Sequence, residues 1–225
     1  MSDWVRESYG AEPDHIIERL GTAQSGLPLV VAIHGGYWKP EHDREHMRPL
    51  METLVDKGLE VALVEYRRIP GDPDASITDI HLAIDSLAPR NLVLMGFSAG
   101  GQLAMIAAKE SETVDAIIAL APVTDLLRTE SEDLGESAVK NWLKEPAMNR
   151  FDLSPIEIAS IDIPIRIFHG TEDMRVPIEH SRDFVAKMQN IGIDAQLMEL
   201  PGLGHFELMD PRGLVVEKIL EIFES

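Results

Sequence analysis

Ser98 lies where an apolar run gives way to a helical pattern, in the stretch VLMGFSAGGQLAMIAAKE at residues 93–110. Gly96, Gly100 and Gly101 lack the side chains that would hold a strand and the following helix apart at so tight a turn. The glycines explain the turn but not the serine, because a hydroxyl at its tip is both exposed and constrained. The pattern G-x-S-x-G in this context is typical of a serine nucleophile.

A serine nucleophile needs a base to remove its proton and a third group to orient that base. Asp173, in TEDMRVP, follows the apolar run IRIFHG, and His205, in PGLGHFE, follows the run DAQLMEL. Both residues therefore come after predicted strands, at the sheet edge where open α/β sheets bind ligands. The chain order Ser98, Asp173, His205 predicts a catalytic triad in which His205 is the base and Asp173 orients it.

Nearby residues offer alternatives for the acid and the base. Glu172 stands next to Asp173, which in another interpretation only caps the following helix. His169 stands at the end of a predicted strand, and His180 falls within a helical pattern, so neither is placed like a base on a loop. The sequence favours Asp173 and His205.

The segment AIHGGYWK, at residues 32–39, ends the first long apolar run and supplies backbone N–H groups beside two glycines. Such groups stabilise the oxyanion that develops during acyl transfer, and losing one donor costs on the order of 3 kcal/mol. The N–H of Ala99, directly after the nucleophile, is expected to point to the same place.

His42 and His46, in HDREH, have the spacing of two ligands on one helix face. The zinc-protease pattern requires a glutamate directly after the first histidine, and Asp43 stands there instead. We expect a solvated helix start, with no bound metal and no cofactor.

Apolar runs alternate with helical patterns along the chain, which predicts a mostly parallel sheet flanked by helices. Continuous apolar runs indicate strands covered on both faces. The predicted strands are residues 29–35, 61–66, 91–97, 115–122, 165–170 and 194–200. VRESYG and HIIERLG predict an antiparallel hairpin at the sheet edge. Residues 124–162 interrupt the alternation and are predicted to form a short lid-like insertion in one domain of residues 1–225.

The charge balance excludes some partners. The 225 residues include 39 acidic and 20 basic side chains, a net charge of −19, which disfavours nucleic acid and anionic membranes. The chain has no cysteine, and its N-terminus lacks the basic and apolar regions of a signal peptide. We expect a cytoplasmic protein that acts on a small molecule; its oligomeric state stays open, with a homodimer as one alternative.

The spacing of HGG, GFSAGG, HGTED and GHF resembles the α/β-hydrolase superfamily over nearly the whole chain. HGGYW is similar to the motif of kynurenine formamidases (arylformamidases), whereas related esterases and lipases carry HGGG. This resemblance implies a role for each matching residue: Ser98 as nucleophile, His205 as base, Asp173 as its orienting acid, Gly36, Tyr37 and Ala99 as oxyanion-hole donors, and His34 as a brace for the loop.

The resemblance implies a cofactor-free serine hydrolase that cleaves a carboxylic ester or activated amide, with an N-formylkynurenine type of formamide as the leading substrate. Tyr37 and Trp38 are expected to contact the aryl group, although Trp38 and Trp142 could instead only pack the loop and lid. A broad short-chain carboxylesterase is the main alternative, and a peptidase is less favoured. A noncatalytic small-ligand-binding protein of the same fold is the alternative of another class.

Overall fold

A single sheet of eight strands forms the centre of the computed structural model, which describes residues 3–22, 26–109, 111–158 and 161–224. In chain order, β1 to β8 are Val5–Ser8, Ile16–Leu20, Leu29–Ile33, Glu60–Val64, Leu92–Phe97, Val114–Leu120, Ile165–Gly170 and Ala195–Leu200. Their order across the sheet is β1-β2-β4-β3-β5-β6-β7-β8. The six predicted strands are confirmed, with ends that differ by one or two residues.

Strands β3 to β8 are parallel, and β1 and β2 form the predicted antiparallel hairpin at one edge. All residues of β3, β4 and β5 are buried, as their continuous apolar runs predict. Because parallel strands point the same way, the loops that follow β3, β5, β7 and β8 emerge at the same edge of the sheet. This edge carries the four segments singled out by their chemistry.

Seven helices among the described residues cover the two faces of the sheet. In chain order, α1 to α7 are Arg48–Asp56, Pro73–Leu87, Ala99–Ala108, Leu126–Ser131, Leu134–Leu143, Glu179–Asn190 and Leu214–Glu224. Helices α2, α3 and α6 contribute to the core on one face, and α1 and α7 to the core on the other. This arrangement confirms the predicted α/β sheet flanked by helices. None of these helices is both long enough and apolar enough to span a membrane.

The segment between β6 and β7 contains α4, α5 and three short 3-10 turns. The first turn of α5 has left-handed backbone at Gly135, Glu136 and Ser137, and the helix continues from there to Leu143. Trp142 in α5 is buried in the core on the α3 side of the sheet. The segment therefore packs against the domain, while its role as a lid stays a prediction.

Candidate active site

Ser98 lies between the last residue of β5 and the first residue of α3. Its backbone has φ 55° and ψ −119°, a conformation that non-glycine residues adopt at a cost on the order of 1–3 kcal/mol. The turn is tight enough that a Cβ built on Gly100 would lie 2.1 Å from the carbonyl oxygen of Ile33. A strained serine on a strand-to-helix turn is the geometry that the G-x-S-x-G pattern predicts.

Asp173 and His205 meet through their side chains, although 32 positions separate them in the chain. The distance from His205 Nδ1 to Asp173 Oδ2 is 2.6 Å, and both side chains are at least nine-tenths buried. Asp173 lies in the loop after β7 and His205 in the loop after β8, as their positions in the sequence predict. The hydrogen bond fixes the imidazole with Nδ1–H toward the carboxylate, which leaves Nε2 to accept a proton.

The carboxylate of Asp173 is held by donors from several directions. Its Oδ1 accepts hydrogen bonds from the backbone N–H groups of Arg175 (2.8 Å) and Val176 (2.9 Å). Burial alone would raise the pKa of Asp173, but the hydrogen bonds from His169 and His205 outweigh it and hold this pKa well below its usual range. Asp173 therefore stays ionised and accepts hydrogen bonds only.

Ser98 and His205 line the same cavity, of about 380 Å³, at the carboxyl edge of the sheet. Its other walls come from the end of β5, from the segment between β3 and α1, from α5 and from the segments after β7 and β8: Gly36, Tyr37, Lys39, His42, His46, Phe97, Gly135, Glu136, Arg175, Phe206 and Met209. The Ser98 hydroxyl makes no hydrogen bond to another described residue. Such contacts are often long without substrate and tighten when it binds.

The loop after β3 lies directly against the turn that carries Ser98. A Cβ built on Gly35 would lie 2.9 Å from Ser98 Cβ. Gly36 and Tyr37 have positive φ of 115° and 52°, and both line the cavity. Within the described part of the chain, the N–H groups of Tyr37 and Ala99 donate to no protein acceptor. These two N–H groups are thus free for an oxyanion.

Tyr37 is fixed across the cavity by its hydroxyl, which donates to the carbonyl oxygen of Arg175 at 2.6 Å. Its ring packs against Gly135 of α5, where a Cβ would lie 2.7 Å from the ring. Burial, together with the nearby charge of Asp173, raises the pKa of Tyr37 to about 12. Tyr37 is therefore a neutral wall residue that connects the loop after β3 with the loop after β7 and with helix α5.

Trp38 does not lie where the expected contact with an aryl group requires it. Its side chain is in the core and is not one of the residues that line the cavity. Its ring stacks on Trp142 at a centroid distance of 4.4 Å, and its Nε1–H donates to Gln102 Oε1 at 3.0 Å. Only 2% of Trp38 is exposed. The indole thus fills space between the loop after β3 and helix α5, in agreement with the alternative that Trp38 and Trp142 only pack the loop and the lid-like segment.

His34 lies beneath the same loop and is fully buried. One ring nitrogen contacts the Gly35 carbonyl oxygen at 2.8 Å, and the other contacts Glu65 Oε1 at 3.0 Å. Glu65 also accepts from Arg44 at 3.1 Å and pairs with Arg68. His34 thus contacts the loop after β3 on one side and the buried ion cluster of Glu65, Arg44 and Arg68 on the other, a position that agrees with the predicted role as a brace for the loop.

His42 and His46 both line the cavity, but no set of three metal-ligating side chains occurs among the residues the structure describes. The His46 ring lies edge-on to those of His34 and Phe97, and burial lowers the pKa of His46. His46 therefore contributes an imidazole ring to the cavity wall.

The sequence did not identify three residues of the site. The sequence offers His169 only as an alternative base, yet its Nε2 lies 3.2 Å from Asp173 Oδ2. Arg175 and Phe206 line the cavity, with the Arg175 guanidinium 5.8 Å from the Phe206 ring centroid. The available signal is their position, because each stands one to four residues from Asp173 or His205 in the chain.

A larger cavity, of about 480 Å³, lies between β7, β8 and α7, and none of the predicted site residues lines it. The candidate site is therefore the smaller cavity, where the chemically equipped side chains converge.

Comparison with known proteins places the chain in a family. The BD-FAE family matches residues 19–188. The "Probable carboxylic ester hydrolase LipM" of Mycobacterium tuberculosis is 27% identical over 86% of this chain and 52% of its own length. The kynurenine formamidase of Danio rerio is 24% identical over 87% of this chain and 73% of its own length. The chain spans only 52% to 60% of the length of four of the curated relatives that it matches.

Among solved structures, esterase B from Lactobacillus rhamnosis has a TM-score of 0.84 at 19% identity, over 99% of this chain and 85% of that one. A truncated carbohydrate esterase from gut microbiota has a TM-score of 0.82 at 19% identity, over 98% of this chain and 94% of that one. At such identities the likeness shows the fold, which is that of the α/β hydrolases. Since the family match also extends over most of the chain, this protein belongs to the BD-FAE family of α/β hydrolases.

Proposed function

We propose that this protein hydrolyses carboxylic esters through an acyl-serine intermediate. Ser98 is the nucleophile, His205 the general base and Asp173 the group that orients His205. The observation that carries the proposal is the 2.6 Å contact between His205 and Asp173 beside a cavity that also holds Ser98 on its strained turn. A buried carboxylate that orients an imidazole, and an imidazole that takes the proton of a constrained hydroxyl, together perform nucleophilic acyl transfer.

In the first half of the reaction, Ser98 Oγ attacks the ester carbonyl carbon while His205 Nε2 takes its proton. The tetrahedral intermediate then collapses, and His205 returns that proton to the departing alcohol oxygen as the carbon–oxygen bond breaks. In the second half, His205 removes a proton from water, which attacks the acyl-serine. Collapse of the second intermediate releases the carboxylic acid and restores the Ser98 hydroxyl.

The negative oxygen of each tetrahedral intermediate needs donors that are already in place. We assign this role to backbone N–H groups at Gly36, Tyr37 and Ala99. The free N–H groups of Tyr37 and Ala99, and the contact of Gly35 with the serine turn, support the assignment. Donors fixed by the backbone need no reorganisation when charge develops, so they lower the barrier effectively.

The names of several relatives support ester substrates, since they include the "Probable carboxylic ester hydrolase LipM" and the esterases LipC and LipQ of Mycobacterium tuberculosis. The cavity of about 380 Å³ is near the lower end for small-molecule sites. We therefore propose short acyl chains, because acyl group and leaving group must share this volume.

An aryl formamide of the N-formylkynurenine type is a second candidate. The HGGYW segment and the likeness to the kynurenine formamidase of Danio rerio favour it. Of the two rings expected to contact an aryl group, Tyr37 lines the cavity and Trp38 does not. Esters therefore take precedence over the formamide.

Covalent labelling tests the nucleophile and needs no substrate. A fluorophosphonate should add to Ser98, because Ser98 Oγ displaces fluoride from phosphorus, and peptide mass spectrometry locates the adduct. Ser98→Ala should abolish labelling and lower kcat on 4-nitrophenyl acetate by a factor on the order of 10⁴. The control Ser86→Ala, at an exposed position in α2, should behave like wild type. Wild-type protein that resists labelling would favour the noncatalytic binding protein.

A second assay distinguishes the substrates. N-formylkynurenine should be compared with acetyl, butyryl and octanoyl esters of 4-nitrophenol, each reported as kcat/KM. We expect acetyl to exceed octanoyl because of the cavity volume. A kcat/KM for N-formylkynurenine on the order of 10⁴ M⁻¹s⁻¹ or above, exceeding that of every ester, would select the formamidase instead. A preference for octanoyl esters would contradict the proposed acyl range.

A further inference from the structure

Arg175 is a cation at the cavity, and no described carboxylate forms an ion pair with it. It lines the cavity beside Ser98 and His205, and it has no carboxylate within ion-pair distance among the described residues. Apart from Arg6, every other described arginine contacts a carboxylate. An unpaired guanidinium is therefore unusual in this acidic protein, and it stands at the proposed site of reaction.

The backbone of Arg175 is fixed at both ends. Its N–H donates to Asp173 Oδ1 at 2.8 Å, and its carbonyl oxygen accepts from the Tyr37 hydroxyl at 2.6 Å. The residue thus links the predicted triad acid to the predicted oxyanion loop. Its side chain therefore begins at a defined point on the cavity wall.

The guanidinium lies over an aromatic face and keeps its donors for a ligand. Its Cζ is 5.8 Å from the centroid of Phe206, a residue that is 63% exposed. No described protein group accepts a hydrogen bond from the Arg175 side chain. An arginine supported on an aromatic ring, with free N–H groups in a planar fork, matches the two oxygens of a carboxylate.

The charges around the cavity agree with an anionic ligand. Lys39 also lines it, and the ion pair of Lys39 with Glu136 is 3.4 Å long and open to solvent. The carboxylate of Asp173 is buried and already accepts from two histidines. The net charge of −19 does not attract anions to the molecule as a whole, so local groups must recognise one.

We propose that Arg175, together with Lys39 on the wall of the same cavity, binds a carboxylate group of the substrate that is separate from its reacting carbonyl. The substrate class is then an ester with an acidic substituent rather than a neutral ester. This inference rests on the proposed function, since it places the carboxylate in the cavity where Ser98 attacks. Phe206 below the guanidinium offers a surface for the part of the substrate that joins the two groups.

Matched esters test the inference. 3-Acetoxybenzoate and 4-acetoxybenzoate carry a carboxylate, and the corresponding acetoxybenzamides are neutral and of nearly the same shape. Each kcat/KM is divided by the rate of hydroxide hydrolysis, which removes the difference in leaving groups. The readout is the ratio of the anionic ester to the neutral ester at pH 7.5.

Arg175→Gln removes the charge and keeps the backbone hydrogen bonds, and we expect it to lower the ratio on the order of tenfold, mainly through KM for the anionic ester. Arg175→Lys should retain part of the ratio. The control Arg6→Gln removes another unpaired arginine, on the edge strand β1 and outside the cavity, and should leave the ratio as in wild type. Salt should lower the wild-type ratio by screening.

The outcomes separate the two proposals. If the ratio is equal in wild type and Arg175→Gln, or if the variant loses activity equally on both esters, the proposed carboxylate site is wrong. Turnover of the neutral ester would in that case still support the proposed hydrolase activity. If wild type turns over neither ester and a fluorophosphonate does not label Ser98, both proposals fail.

Discussion

His169 Nε2 lies 3.2 Å from Asp173 Oδ2, the same carboxylate oxygen that His205 Nδ1 contacts at 2.6 Å. His169 is fully buried, and its Nε2 also lies 2.8 Å from the Val176 carbonyl oxygen. Both groups around Nε2 are acceptors, so this nitrogen carries a proton. Its Nδ1 lies 2.7 Å from Ser181 Oγ. Asp173 therefore has a second histidine donor besides the predicted base.

Replacing His169 should alter the pH dependence of the reaction as well as its rate. His169→Phe removes a donor to Asp173, so the carboxylate becomes a stronger acceptor for the His205 proton. We expect the acid limb of the kcat/KM profile on 4-nitrophenyl acetate to move to higher pH, with a rate loss on the order of tenfold. His169→Gln, which keeps an N–H donor, should show a smaller displacement. A rate loss with the acid limb in place would indicate a structural role only.

Substitution by the corresponding amide distinguishes Asp173 from Glu172 as the acid that orients His205. Asp173→Asn keeps the shape but disfavours the His205 tautomer that accepts a proton, so kcat should fall by a factor on the order of 10³ to 10⁴. Glu172 is exposed, and Glu172→Gln should change kcat by less than about threefold. Steady-state hydrolysis of 4-nitrophenyl acetate measures both. The reverse ranking would identify Glu172 as the orienting acid.

Trp38 should matter for stability and not for substrate choice. Trp38→Ala removes the ring stacked on Trp142 and the partner of Gln102, and core truncations of this size cost about 3–5 kcal/mol of unfolding free energy. Urea denaturation measures this loss, and aryl and alkyl esters should be affected equally. A selective loss of aryl ester turnover at unchanged stability would show that Trp38 contacts substrate after all.

Glu65 should make stability depend on pH. Hydrogen bonds and charges from His34 and Arg68 outweigh the effect of burial and hold the pKa of Glu65 well below its usual range. A lowered pKa gives stability that is complete above the unfolded value of about 4.3 and is lost as pH falls through the folded value. Glu65→Gln also leaves Arg44 with one carboxylate fewer.

We expect Glu65→Gln to cost about 3 kcal/mol at pH 7, as for other buried ion pairs that lose one member. The difference from wild type should shrink as pH falls below about 4. Urea denaturation at pH 7, 5 and 3.5 measures it, with Glu112→Gln at an exposed position as the control. A difference that stays constant across this range would show that the Glu65 charge does not stabilise the fold.

The sequence by itself determined the sheet, the flanking helices and the loops that carry Ser98, Asp173 and His205. Continuous apolar runs define strands that are buried on both faces, and the alternation with helical patterns makes those strands parallel. The carboxyl ends of parallel strands then share one edge, so residues that are far apart in the chain converge. This reasoning needs only local pattern and chain order, both of which are present in one sequence.

Only the tertiary structure decided which side chains turn toward the cavity. Tyr37 and Trp38 are adjacent and have nearly the same φ, yet Tyr37 lines the cavity and Trp38 packs against Trp142. A loop has no periodicity that separates its two sides, so the direction depends on what packs against it from about 100 residues away. His169 and Arg175 stand within four residues of Asp173 in the chain, yet the sequence does not show which way their side chains turn, so their places around Asp173 also became clear only in the fold.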